Sequence, residues 1–140
     1  VACLVGSEMC IRDRLPVGWG PMHQLHATLY YTIEALKIGE TGHGAVFTAI
    51  HKEGNYLSSE KSILEFLSKL GIDEQEAYKQ MNSFSVRQKV KRSIELSRKL
   101  KVSAVPMMFV DGKYKIQVKG STSKMLDTVD YLINIEKPNS

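Results

Sequence analysis

Apolar residues recur along this 140-residue chain at a helical period over most of its length. Met22, Leu25, Leu29, Ile33 and Leu36 keep a 3-4-4-3 spacing, which predicts a helix from Met22 to Ile38 with Gly39 as its stop. Val46, Phe47 and Ile50 mark a shorter helix from Ala45 to Lys52, closed by Gly54-Asn55. Ser59 stands ahead of Ile63, Leu64, Phe66, Leu67 and Leu70, the pattern of a capped amphipathic helix that ends at Gly71. Asp73 and Glu76 have capping-box spacing and open a helix from Glu74 to Met81. Val86, Val90, Ile94 and Leu100, with Ser93 and Ser97 at small positions, share one face of the next helix. Gly120-Ser121 opens a last helix whose buried stripe is Met125, Val129, Leu132 and Ile133, ending before Pro138.

The period changes between Ser103 and Val118. Met107 to Val110 is a short apolar strand, Asp111-Gly112 supplies the positive-φ positions of a tight turn, and Tyr114 to Val118 alternates as the return strand. Pro106 heads the strand where a missing N–H costs least, and a proline held there is a candidate cis bond. Met107 and Met108 can line a peptide groove, yet neighbouring strand residues point to opposite faces, so core is the better expectation for at least one. Leu15 to Pro21 is an apolar run broken by glycine and proline and suits a strand end and loop, with Trp19 expected in the core. Five helices between strand-like segments point to a helical insertion within an α/β domain, although spacing alone also allows a helical bundle with one hairpin.

Val105-Pro106, then Met108-Phe109-Val110, one residue, and Gly112-Lys113-Tyr114, with Asn82-Ser83-Phe84 upstream, resemble the cis-proline loop and hairpin of DsbA-type thiol:disulfide oxidoreductases of the thioredoxin superfamily. The resemblance runs from Leu15 to about Lys137. It implies an α/β chain with an incomplete thioredoxin-like fold. Residues 15–21 and 101–137 would form the partial thioredoxin-like domain, 22–100 the helical insertion and 138–140 a tail. By the same resemblance the chain would begin near the third thioredoxin strand, without the first two strands and the catalytic helix.

The family's chemistry rests on a Cys-x-x-Cys pair at a helix N-terminus, where the thiolate is favoured. No such pair occurs here: the cysteines are Cys3 and Cys10, with six residues between them. Residues 1–14 resemble translated sequencing-adapter DNA and are expected to be a non-native segment outside the fold. No catalytic residue is therefore assigned. The resemblance makes Val105 and Pro106 the substrate-binding positions, where backbone ahead of the proline meets an extended polypeptide as an added strand would.

Composition excludes little: 43% apolar and 24% charged is ordinary for a globular protein. The net charge of +4 is concentrated in Arg87 to Lys101, which holds Arg87, Lys89, Lys91, Arg92, Arg98, Lys99 and Lys101 against Glu95. A solvated helix face explains this, with a site for an anionic partner as the sharper alternative; no aromatic interleaving suggests nucleic acid, and none is expected as a partner. His23, His26, His43 and His51 lack metal-ligand spacing, so no metal or other cofactor is expected. Ser58, Ser59 and Ser62 read as caps, and Gly39 to Gly44 reads as a helix–helix linker because it lacks the ending of a phosphate loop.

What the resemblance implies is the C-terminal portion of a thiol:disulfide interchange protein that introduces disulfides into exported proteins, periplasmic, inactive by itself for want of the cysteine pair. Its partners would be folding polypeptides containing cysteine and a membrane reoxidation partner. The alternatives are a non-catalytic peptide-binding thioredoxin-like module and a glutathione-dependent transferase or isomerase of the same superfamily.

Overall fold

The computed structural model describes residues 2–5 and 10–136, with 2–5 and 10–13 as backbone alone. The expected tail 138–140 and the end of the last helix before Pro138 lie outside these residues. The chain divides into two units, one comprising Pro16–Ser97 and one joining the residues up to Leu15 with those from Arg98 onward. The sequence-based division placed 16–21 with the strands and 98–100 with the helices.

The first unit is helical. Helix α1 spans Pro21–Ala35, α2 Gly39–His51, α3 Glu60–Lys69, α4 Glu74–Met81, and α5 begins at Phe84 and runs to Lys99. Pro21 occupies the first turn of α1, where its missing N–H has no intrahelical partner to lose. The caps follow the sequence pattern closely. Ser59 accepts from the Ser62 N–H at 3.1 Å, Ser62 closes the box by accepting from the Ser59 N–H at 3.1 Å, and Asp73 accepts from the Glu76 N–H at 3.1 Å. Leu29, Ile33, Leu57, Ile63 and Leu67 are fully buried at the centre of this unit, joined by Phe66, Ala77 and Met81. This is the apolar stripe read from the spacing.

Three expectations fail here. Helix α1 stops at Ala35 rather than Ile38, because Lys37, and not Gly39, takes the left-handed position at φ 58°. The Ile38 N–H then reaches the Ile33 carbonyl at 3.3 Å and the Lys37 N–H the Glu34 carbonyl at 3.1 Å, which is a Schellman closure without glycine. Gly39 to Gly44 is accordingly not a linker but the start of α2. One of its glycines serves packing: a Cβ at the buried Gly42 would lie 2.7 Å from Ile33 Cγ2. Leu15 to Pro21 forms no strand, and Trp19 is half exposed, its ring meeting His23 edge-on at 5.6 Å rather than entering the core.

The second unit is a four-stranded sheet in the order β2-β1-β3-β4, where β1 is Ala2–Val5, β2 Cys10–Asp13, β3 Met107–Val110 and β4 Tyr114–Gln117. Strand β1 runs parallel to β3 with Cys3 opposite Val110, and antiparallel to β2 with Val5 opposite Cys10. Backbone that was set aside from the fold thus pairs in the sheet, since the edge of β3 away from β4 carries backbone donors and acceptors that an extended neighbour satisfies. Strands β3 and β4 pair antiparallel from Met107↔Gln117 to Val110↔Tyr114. Helix α6, Thr122–Glu136, covers one sheet face through Met125 and Val129 against Met108, Val110 and Ile116. On the opposite face Met107 and Phe109 pack with Leu15, Leu100 and Val102.

The glycine at the α1–α2 crossing gives a paired test. Alanine is the better helix former by about 1 kcal/mol, yet Gly42→Ala should lower the melting temperature because its Cβ meets a buried methyl 2.7 Å away. Gly44→Ala, whose Cβ would meet nothing within 4 Å, should instead raise it. Thermal unfolding of both variants checks this; a stabilised Gly42→Ala would contradict the close approach of α1 and α2.

Candidate functional site

The Val105–Pro106 peptide bond is cis. It sits immediately ahead of β3, at the change from exposed to buried chain. Ser103, Ala104, Val105 and Pro106 are all exposed, whereas Met107, Met108, Phe109 and Val110 are all buried. Val105 is 59% exposed, a high value for a β-branched apolar residue next to a core strand. Among the described residues neither its N–H nor its C=O makes a hydrogen bond. A backbone donor and acceptor immediately ahead of a strand, satisfied by nothing among the described residues, are open to a second chain.

What holds this loop is the strand behind it. Side chains alternate, so Met107 and Phe109 anchor β3 to one layer and Met108 and Val110 to the other. Both methionines are core, at 2% and 5% exposure, and neither lines a groove. Ahead of the loop, Lys101 adopts φ 52° to end α5, and its carbonyl accepts from Lys115 Nζ of β4 at 2.7 Å. The segment 102–106 therefore runs between a tethered helix end and a strand buried on both sides.

The hairpin turn is fastened from the far end. Asp111 at φ 52° and Gly112 at φ 65° form the turn that closes with the Lys113 N–H on the Val110 carbonyl at 3.0 Å. Lys113 Nζ lies 2.9 Å from Asp111 Oδ2 and 2.8 Å from Glu136 Oε2, and the Tyr114 hydroxyl donates to Glu136 Oε1 at 3.0 Å. The hydrogen bond from Lys113 holds the Asp111 carboxyl below its ordinary range. Glu136, with Asp111 beside it, pushes the Lys113 ammonium up, and the bond to Glu136 likewise raises the Tyr114 phenol. Glu136 joins this cluster from 22 residues away. No sequence signal marked it.

The other candidates separate. Among the described residues no three metal-ligating side chains come together. His26 Nε2 bonds the Tyr56 carbonyl at 3.0 Å and His43 Nε2 bonds Glu34 Oε1 at 2.7 Å. His51 lies against Phe47 with ring centroids 4.5 Å apart. All seven basic residues of Arg87 to Lys101 are exposed, and the Arg87 guanidinium donates to the Asn82 carbonyl. No helix among the described residues is long and apolar enough to cross a membrane.

A family model, the DSBA-like thioredoxin domain, matches residues 17–134, a range that includes the cis proline, the hairpin and most of α6. The chain belongs to the DSBA-like thioredoxin domain family. It is 34% identical over 126 residues to the thiol:disulfide interchange protein DsbA of Azotobacter vinelandii, covering 89% of this chain and 59% of that protein. The crystal structure of Pseudomonas aeruginosa DsbA superposes with a TM-score of 0.82 at 32% identity, over 88% of this chain and 65% of that one. A Proteus mirabilis DsbA in complex with a non-covalently bound peptide shares the fold, with a TM-score of 0.71 at 22% identity, over 84% of this chain and 66% of that one. The chain thus spans about three fifths of the length of the Azotobacter relative. The relatives' shared name makes this a family of disulfide-forming oxidoreductases, and its fold is the expected thioredoxin-like α/β fold with a helical insertion.

The ion cluster makes a prediction about pH. Asp111 is depressed below its ordinary 3.8, so its contribution is present above that value and is lost as pH falls through the lower folded one. Lys113 and Tyr114 are raised above 10.5 and 10.0, so theirs hold below those values and are lost only as pH rises further. Lys113→Met should lower the melting temperature at neutral pH, with the difference from wild type shrinking below pH 3.8. A difference that is unchanged in acid would show that the cluster does not fasten the turn.

Proposed function

We propose that this chain carries the polypeptide-docking part of a periplasmic thiol:disulfide interchange protein, and that Val105 and Pro106 form the docking edge. The observation that carries the reading is the exposed Val105 backbone, without a hydrogen-bond partner among the described residues, beside a cis bond and immediately ahead of β3. An extended substrate segment pairs with the Val105 N–H and C=O, and the proline presents no donor of its own to compete. The peptide bound by the Proteus mirabilis relative, PWATCDS, is a short segment with one cysteine and has the chemistry such an edge would take.

Disulfide exchange needs a thiolate that attacks a disulfide sulfur and a second thiol that resolves the mixed disulfide. The sequence holds no Cys-x-x-Cys. In the sheet, Cys3 stands opposite Arg12 and Cys10 opposite Val5, so the two are not a paired position either. On this reading the chain docks substrate without oxidising it, and a full-length form would carry the cysteine pair upstream of Leu15, act on exported proteins and be reoxidised at the membrane. Residues 1–14 are proposed to be foreign to that form.

Isothermal titration with an extended peptide whose cysteine is replaced by serine tests the docking edge. Val105→Ala keeps the backbone groups and should leave affinity nearly unchanged. Val105→Pro removes the N–H and should weaken binding by about fivefold or more, the worth of one hydrogen bond. Equal affinity of the two variants overturns the backbone reading. A dithiol-oxidation assay should show no turnover; turnover abolished by Cys3→Ser or Cys10→Ser would contradict the assignment of the chemistry to an upstream pair.

A further inference from the structure

Between α1 and α2 lies a cavity of about 240 Å³ that the disulfide-exchange reading does not use. Its floor is aliphatic, from Leu29, Ile33, Val46 and Ile50, and its rim carries Tyr30 and the imidazoles of His23, His26 and His43. Such a ring of histidines looks like a metal site, but no three ligating side chains come together among the described residues. Their surroundings point elsewhere.

We propose that this cavity binds a small uncharged heteroaromatic molecule that carries an N–H donor. Size comes first: pockets for drug-sized ligands run to roughly 300–1,000 Å³, so 240 Å³ admits one ring or two fused rings. The aliphatic floor favours an apolar body over a sugar or a peptide. Tyr30 and His43 are already stacked, with centroids 4.6 Å apart and planes 23° from parallel, so the rim has ring faces and edges for a further ring to meet.

Hydrogen-bonding capacity then selects the polar group. A carbonyl only accepts, so His26 Nε2, 3.0 Å from the Tyr56 carbonyl, carries the hydrogen. Glu34 fixes the hydrogen of His43 on Nε2 in the same way at 2.7 Å. In the neutral rings Nδ1 of both histidines is left as an acceptor. An acceptor on a residue that lines the cavity suits a ligand that donates. The Glu34 carboxylate, bonded to the cavity-lining His43, puts negative charge close to the cavity and works against an anionic ligand.

Indole is the probe, and indole-3-carboxylate, which has the same rings and a charge, is the control. In proton–nitrogen correlation spectra of the whole chain at about pH 8, where imidazole is ordinarily neutral, indole should shift the amides of Ala27, Tyr30, Ile33, Val46 and Ile50 saturably. The carboxylate should bind at least about tenfold more weakly, a difference of about 1.4 kcal/mol. Val46→Phe fills the cavity and should abolish the response; if that variant does not fold, Ile50→Phe takes its place. A response that survives in a folded, filled variant overturns the proposal, as does equal or tighter binding of the carboxylate. So do shifts confined to residues outside the cavity, or no saturable shift up to the solubility limit of indole.

Discussion

Burial of β3 on both of its faces is the constraint on which the rest of the strand-bearing unit depends. Four consecutive side chains, Met107 to Val110, are in the core, and because they alternate they tie the strand to two separate layers. Burying each such side chain contributes on the order of 1.5–3 kcal/mol. A strand held this way cannot slip by one residue without exchanging its faces, and its register with β4 is set from Val110↔Tyr114 onward. The loop just ahead of it inherits that fixed position. Val105 and Pro106 are exposed and yet lead directly into a buried strand, which is what the proposed docking edge requires.

Order within the hairpin comes from outside it. Lys113 and Tyr114 reach Glu136 at the end of α6, and Lys115 reaches the carbonyl of Lys101 where α5 ends. Individual exposed ion pairs contribute little to stability, but these bonds share a geometry, each joining the turn or the edge strand to a helix end. The strand carries the apolar energy and the polar bonds set direction. The proposed docking edge lies where neither reaches, at the Val105 backbone.

Elements dictated by local chemistry were legible in the sequence. Ser59, Asp73 and the Asp111-Gly112 turn did what their side chains and φ preferences require, and the stripe of Leu29, Ile33, Ile63 and Leu67 became the helical core. The hairpin and its leading proline were visible for the same reason, whereas the docking role of Val105 and Pro106 came from family resemblance and is a proposal. Features set by tertiary contact were not. The helix over Gly39 to Gly44 depends on how closely α2 passes Ile33, so Gly42, read as part of a linker, turned out to be a packing contact. Lys37 in a left-handed conformation and Trp19 turned to solvent beside His23 are outcomes of chain geometry that no spacing rule contains. Glu136, and the cavity rim drawn from His23, His26 and His43 on two helices, are invisible to a linear reading because their partners are distant in sequence.

The central claim is that the backbone ahead of the cis bond stands open while the strand behind it is locked. Amide hydrogen exchange, read residue by residue on the free chain, tests it most directly. The account predicts slow exchange at Met108 and Val110, limited by opening of the sheet, and exchange at Val105 close to the rate of an unstructured peptide. Adding an extended cysteine-containing peptide should then slow Val105 selectively. A Val105 amide that is already protected in the free chain, or that stays fast when the peptide is bound, would contradict it.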